Sequence, residues 1–302
     1  MSTKLLRDAW GLIRETADSW LEHHAPRLAA SLAYYTLLSI APLVVIAVAL
    51  AGLVFGENAA RGQISNQLGA IVGDQAAKGI EAVIANARSP SSGLASTVVG
   101  VVVLLFGASG IFGELQSTLD AIWDVEPKPG RGIWGTVKDR FISFTMVLGV
   151  AFMLLVSLVI SAALSAAGHF FQSALPGGEA AWQILNFCVS LGVITVLFAL
   201  IFKVVPDVDI RWADVWIGAA VTALLFSIGK FALGLYLGKS SITSSYGAAG
   251  SLVALAIWVY YAAQILFLGA EFTRVQARRH GTPIRPSPKA RAIRTVPASA
   301  AT

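Results

Sequence analysis

Six stretches of this chain are almost free of Asp, Glu, Lys, Arg and His: residues 28–56, 89–113, 141–168, 180–202, 215–238 and 240–270, with Lys230 the one interruption. At about 1.5 Å of rise per residue, a helix of any of these lengths crosses a hydrocarbon layer roughly 30 Å thick. Their apolarity is continuous rather than alternating, so they read as helices and not as barrel strands. Composition points the same way. With 56% hydrophobic and only 13% charged residues, a soluble chain would lack the polar side chains to cover its surface. An ordinary cytosolic enzyme, a disordered chain and a disulfide-stapled secreted domain are excluded.

The fold class is therefore all-α, a polytopic membrane protein with six transmembrane helices plus amphipathic interfacial helices. The spans fall at 32–55, 94–113, 141–168, 180–202, 213–237 and 247–270. Segment 1–27 precedes the 28–273 transmembrane domain, and 274–302 reads as a basic, disordered tail. Of the 22 Lys and Arg residues, 17 lie in the N-terminal segment, in the connections after spans two and four, and in the tail. This bias predicts that both termini lie in the cytoplasm. It also gives the basic balance a topological cause, with anionic lipids of the cytoplasmic leaflet as partners and no nucleic acid.

The first apolar run is long, starts late and ends at Phe55-Gly56-Glu57, so no cleavable signal peptide is expected. The lone Cys188 lies mid-span and allows no intramolecular disulfide. Between the spans, residues 4–22 place Leu5, Leu6, Trp10, Ile13, Ala17, Trp20 and Leu21 largely on one helical face, which predicts an interfacial helix. Residues 62–87 repeat the pattern on the other side. After span two a helix continues through Leu119 and Trp123, with Gln116, Asp120 and Asp124 on a face expected to be solvated, until Pro127 and Pro129 stop it.

Polar residues inside spans are the candidates for function. Lys230 has two readings: its stem snorkels to the interface, or it turns into the bundle and holds an anionic group. Tyr260, Gln264 and Glu271 share one stripe of span six, suited to interhelical hydrogen bonds or to a wet cavity. Glu114 and Tyr35 complete the candidate polar core. Gly107, Gly110 and Gly113 in span two, and Gly247 and Gly250 at span six, allow close helix approach or a broken helix. Pro42 is expected to bend span one. No catalytic residue, metal site or cofactor is expected, because the four histidines lie outside metal-binding spacings and no Walker loop or nucleophile elbow occurs.

Four stretches carry a resemblance: Ala29-Ala-Ser-Leu-Ala-Tyr-Tyr-Thr-Leu-Leu-Ser-Ile-Ala-Pro42, Phe106-Gly-Ala-Ser-Gly-Ile-Phe-Gly-Glu-Leu-Gln116, Tyr246-Gly-Ala-Ala-Gly-Ser251 and Trp258-Val-Tyr-Tyr-Ala-Ala-Gln-Ile-Leu-Phe-Leu-Gly-Ala-Glu-Phe-Thr273. In this order they resemble the YihY/virulence factor BrkB family across residues 25–280. The resemblance implies six-span inner-membrane proteins with cytoplasmic termini. It assigns no activity to particular residues. An old family label, ribonuclease BN, is a misassignment, and this chain has no nuclease constellation to revive it.

Three functions are weighed. A permease or transporter-like protein for a small solute or lipid leads, on Lys230 and the stripe of span six. A non-transporting scaffold for envelope assembly, with an envelope protein or a second copy as partner, follows. A tRNA-processing ribonuclease is the weakest.

Overall fold

The computed structural model describes residues 2–39, 110–128, 178–239, 250–281 and 284–293. Helix α1 is Ser2–Glu22, α2 is 25–39 and α3 is 110–122. Strand β1 is Val125–Pro127. Helix α4 (Gly178–Val204), strand β2 (Val208–Asp209) and helix α5 (Trp212–Lys239) follow. Helix α6 is Gly250–Arg279, and two short strands, β3 (Arg285–Pro286) and β4 (Ala290–Ala292), come after it.

Three of these helices are long and apolar enough to cross a membrane, over Phe187–Val204, Trp212–Leu233 and Val253–Arg279. They coincide with the last three expected spans. Spans one to three, the outer segment 62–87, Pro42, Gly107 and Gly247 lie wholly or largely outside the described residues. Along α5 the exposed side chains Ile217, Leu224, Ile228, Phe231 and Leu235 recur at helical spacing, whereas Val215, Ala219, Thr222 and Ala223 are buried. That division is what a lipid-facing stripe and a helix-facing stripe require.

Helices α5 and α6 run antiparallel and touch through reciprocal notches. A β-carbon on Gly218 would collide with Thr273, one on Gly269 with Thr222, and one on Gly229 with Tyr261. Each threonine also turns its hydroxyl back on its own helix: Thr222 Oγ1 donates to the Gly218 carbonyl and Thr273 Oγ1 to the Gly269 carbonyl, both at 2.7 Å. The hydroxyls are thus satisfied without water, which apolar surroundings demand.

The best-packed part of the described core sits where α3, α4, α5 and the far end of α6 converge. Trp123, Leu119, Ile122, Phe202, Ile210 and Phe267 are fully buried there. We call this the basic end. Two expectations are corrected at it. The tail was to be disordered from residue 274, but α6 continues as helix to Arg279, and β3 and β4 pair antiparallel with β2 and β1. Backbone donors drive this: Ile293 N–H reaches the Asp124 carbonyl at 2.8 Å, Lys128 N–H the Lys289 carbonyl at 3.1 Å, and Ser287 N–H the Asp207 carbonyl at 2.8 Å. Residues 284–293 form a strap across the loops that follow α3 and α4. The second correction concerns Asp120, expected on a solvated face and found buried beneath that strap.

Candidate functional site

At 100° per residue, Glu271, Arg274 and Arg278 lie on one face of α6, and this face receives α1 and the turn after α3. Both partners are shaped by a residue in left-handed backbone. Helix α1 ends at Glu22 and His24 adopts φ 51°, which starts α2 in a new direction and leaves His23 at the corner. Helix α3 stops before Asp124 at φ 54°, and Pro127 lies three residues further on. Short polar side chains such as Asp tolerate that conformation better than most.

Glu271 is fully buried. Ser19 Oγ donates to its Oε2 at 2.9 Å, and His23 Nδ1 lies 2.6 Å from its Oε1. Arg274 Nη1 stands 3.5 Å from Oε2. On the other side of the histidine ring, Nε2 is 3.5 Å from Asp124 Oδ1. Asp124 Oδ2 also takes hydrogen bonds from Arg274 Nη2 and, at 2.9 Å, from Arg278 Nη2. Five charged or titratable groups from three distant segments therefore close one network. Leaving Glu271 buried without these partners would cost several kcal/mol. The hydrogen bond to Glu271 holds the His23 proton on above its ordinary 6.5, with burial and Arg274 pulling the other way and Asp124 adding to the rise. Arg274 Nε and the indole N–H groups of Trp20 and Trp123 are buried without a hydrogen-bond partner among the described residues.

A smaller joint lies beside it. Asp120 Oδ1 accepts the Asp207 backbone N–H at 2.6 Å, and Ser287 Oγ donates to Asp207 Oδ1 at 3.3 Å. Burial pushes the Asp120 carboxyl up to about 7, against the pull of that hydrogen bond.

The sequence candidates fall in different places. Glu271 is at the centre of the network. Gln264, two turns back, is part-buried, with Oε1 unpartnered among the described residues. Tyr260 is exposed, so the stripe of span six is divided rather than continuous. Lys230 is exposed on α5 and meets none of the network residues. Glu114 accepts a hydrogen bond from Ser31 at 2.5 Å and ties α3 to α2. Tyr35 is exposed, although one ring edge and Ser39 pack near Gly110. Gly113 would meet nothing if it carried a β-carbon, so close helix approach is not its use among the described residues. Gly250 opens α6. Ser19, His23, Asp124, Arg274 and Arg278 were missed as site residues. The available signal is Glu271, Arg274 and Arg278 at i, i+3 and i+7 on a span end, where the two arginines count in the sequence only as topology charges.

A family model described as virulence factor BrkB matches residues 16–294. The chain belongs to the virulence factor BrkB family. A UPF0761 membrane protein of Rhodospirillum centenum is 27% identical over 274 residues, covering 89% of this chain and 58% of that protein. One from Tolumonas auensis is 31% identical over 183 residues, with 59% of this chain and 57% of its own length covered. One from Aeromonas salmonicida is 26% identical over 257 residues, with 81% of each covered. The chain spans about three fifths of the length of the Rhodospirillum centenum relative. No solved structure matches it. This BrkB-family chain is a membrane protein, and none of these descriptions indicates an enzymatic activity.

Proposed function

We propose that this BrkB-family protein is a permease for a small solute or a lipid in the bacterial inner membrane, with the basic end in the cytoplasm and the Glu271 network as its gate. The observation that carries the reading is Glu271 itself. A fully buried carboxylate closing a span is held by Ser19 of α1, His23 at the corner after α1 and Arg274 of its own helix, and His23 and Arg274 tie it in turn to Asp124 after α3; these elements would have to part for a path to open. Charge placement supports the orientation. Exposed Trp10, Ile13 and Leu21 on α1 favour a second reading, a scaffold that docks a partner on that face.

The test compares small solutes and lipids inside and outside cells that lack the protein, carry it, or carry Glu271→Gln or Lys230→Met. A compound that changes side with the wild type and not with Glu271→Gln supports the permease, and Lys230→Met should behave as wild type. Equal distributions in all four strains would overturn it and leave the scaffold reading.

A further inference from the structure

We infer that Asp124, His23 and Glu271 form a proton relay, with Glu271 as a proton-binding site fed from water at the basic end. The inference deepens the permease reading, on which its use in coupling rests, by naming the proton as the coupled ion. Its basis is a line of three groups in order of burial. The side chain of Asp124 is 30% exposed, that of His23 16% and that of Glu271 0%. Imidazole is the side chain suited to the middle place, because it accepts a proton on one nitrogen while releasing one from the other near neutral pH. Here its two nitrogens face the two carboxylates, Nε2 at 3.5 Å from Asp124 and Nδ1 at 2.6 Å from Glu271.

The transfer balances without another reagent. A proton from water, held by Asp124, bonds to Nε2 of neutral His23. The Nδ1–H bond breaks and its proton joins Glu271 Oε1, leaving a neutral carboxylic acid and the other imidazole tautomer. The reverse transfer, or rotation of the ring, resets the relay. The groups facing the ring come from every element around it. Ser19 on α1 donates to Glu271 and fixes the acceptor. Asp124 in the turn and Glu271 on α6 favour the imidazolium, whereas Arg274, with Nη1 3.4 Å from both ring nitrogens, opposes it. Arg278 holds Asp124 in place from the same helix. Seven residues back along α6, on the same face, Gln264 Oε1 is buried and unpartnered among the described residues. Gln264 is thus the next polar side chain on that face toward the middle of the helix.

The experiment is infrared difference spectroscopy of the full chain in lipid nanodiscs, across a pH series at equilibrium and after a pH jump. The wild type should show the carbonyl stretch of a protonated carboxyl that disappears in Glu271→Gln. His23→Gln, which keeps a hydrogen-bonding group beside Glu271, should slow the appearance of that band after the jump by about a hundredfold. Asp124→Asn should slow it less. If no band is lost in Glu271→Gln, the proton site is overturned. If the band appears as fast in His23→Gln as in the wild type, the relay is overturned. Cargo movement is not read in these spectra, so either result leaves the permease to its own test, and a failed solute comparison leaves the relay standing.

Discussion

Helix α6 meets its neighbours in two ways along its length, and the two ways obey different physics. From Gly229–Tyr261 to Gly269–Thr222, it approaches α5 through glycine notches, the first filled by the Tyr261 ring and the second by Thr222, whose hydroxyl is bonded to its own helix. The Thr273–Gly218 notch is the last of this kind. From Glu271 to Arg279 it meets α1 and the turn after α3 through ionisable groups. The first contact is insensitive to anything dissolved in water. The second is bought with buried charge and answers to protons. A protein held together only by the first kind would have no reason to place a carboxylate where no water reaches it.

The strongest way to break the comparison is Glu271→Ala. It strands Arg274 and leaves His23 without its main partner, which should cost about 3–5 kcal/mol. Thermal unfolding in detergent should show the drop, with proteolysis becoming easier near His23. A loss no larger than that of an exposed ion pair would show that packing, not pairing, holds this end. Next comes Gly218→Leu, which forces a side chain into Thr273 and should cost about 1–3 kcal/mol. Its control is sharper: Gly218→Ala should be destabilising alone and partly restored by Thr273→Ala, because the second change removes Oγ1 and Cγ2, two of the three atoms the new methyl meets, and leaves Cβ. If both Gly218 variants unfold with the wild type, the notch is not a tight one.

The two regions should also separate on pH. His23 is raised above 6.5 by Glu271, so its contribution is complete below that value and is lost as pH climbs through the raised one. Asp120, lifted from 3.8 to about 7 by burial, has the same sign: stability falls between those two values as the unfolded chain gives up a proton that the folded chain retains. Both titrations therefore loosen the basic end toward neutral and alkaline pH. Asp120→Asn should remove part of that slope, and His23→Gln another part, in unfolding midpoints measured across the range. The Gly218 variants should keep the wild-type slope. An unchanged slope in Asp120→Asn would mean that its carboxyl titrates normally.

How much of this was legible depends on which physics wrote it. The spans of α4, α5 and α6 could be read because lipid imposes continuous apolarity, a signal that needs no partner to be recognised. Glu271 could be singled out for the same reason, being a carboxylate at the end of such a run. Its partners could not. Ser19 and His23 lie about 250 residues away, as the bonded pairs show, and nothing local distinguishes His23 from the neighbouring His24. The strap escaped for a related reason. Residues 284–293 are basic and proline-containing, a composition that cannot build a core of its own, yet two existing loops offered backbone groups for pairing. Lys230 shows the converse: a lone charge in a span stands out in sequence, but sequence does not say which side of the helix faces a neighbour.

The smallest effect belongs to the outermost pairs, and it limits how far the charged region extends. Arg291 Nη2 lies 2.8 Å from Glu126 Oε1, with both side chains about half exposed. Such pairs are worth about 0–1 kcal/mol, since water solvates the separated charges nearly as well. Arg291→Ala should accordingly move the unfolding midpoint little, and any shift should vanish in high salt, where screening removes it. The β1–β4 pairing beneath it rests on backbone hydrogen bonds and on buried Ala290, which the substitution leaves in place. A large, salt-resistant loss would place Arg291 with Arg274 as part of the buried network and move the boundary between the two kinds of contact out to the strap.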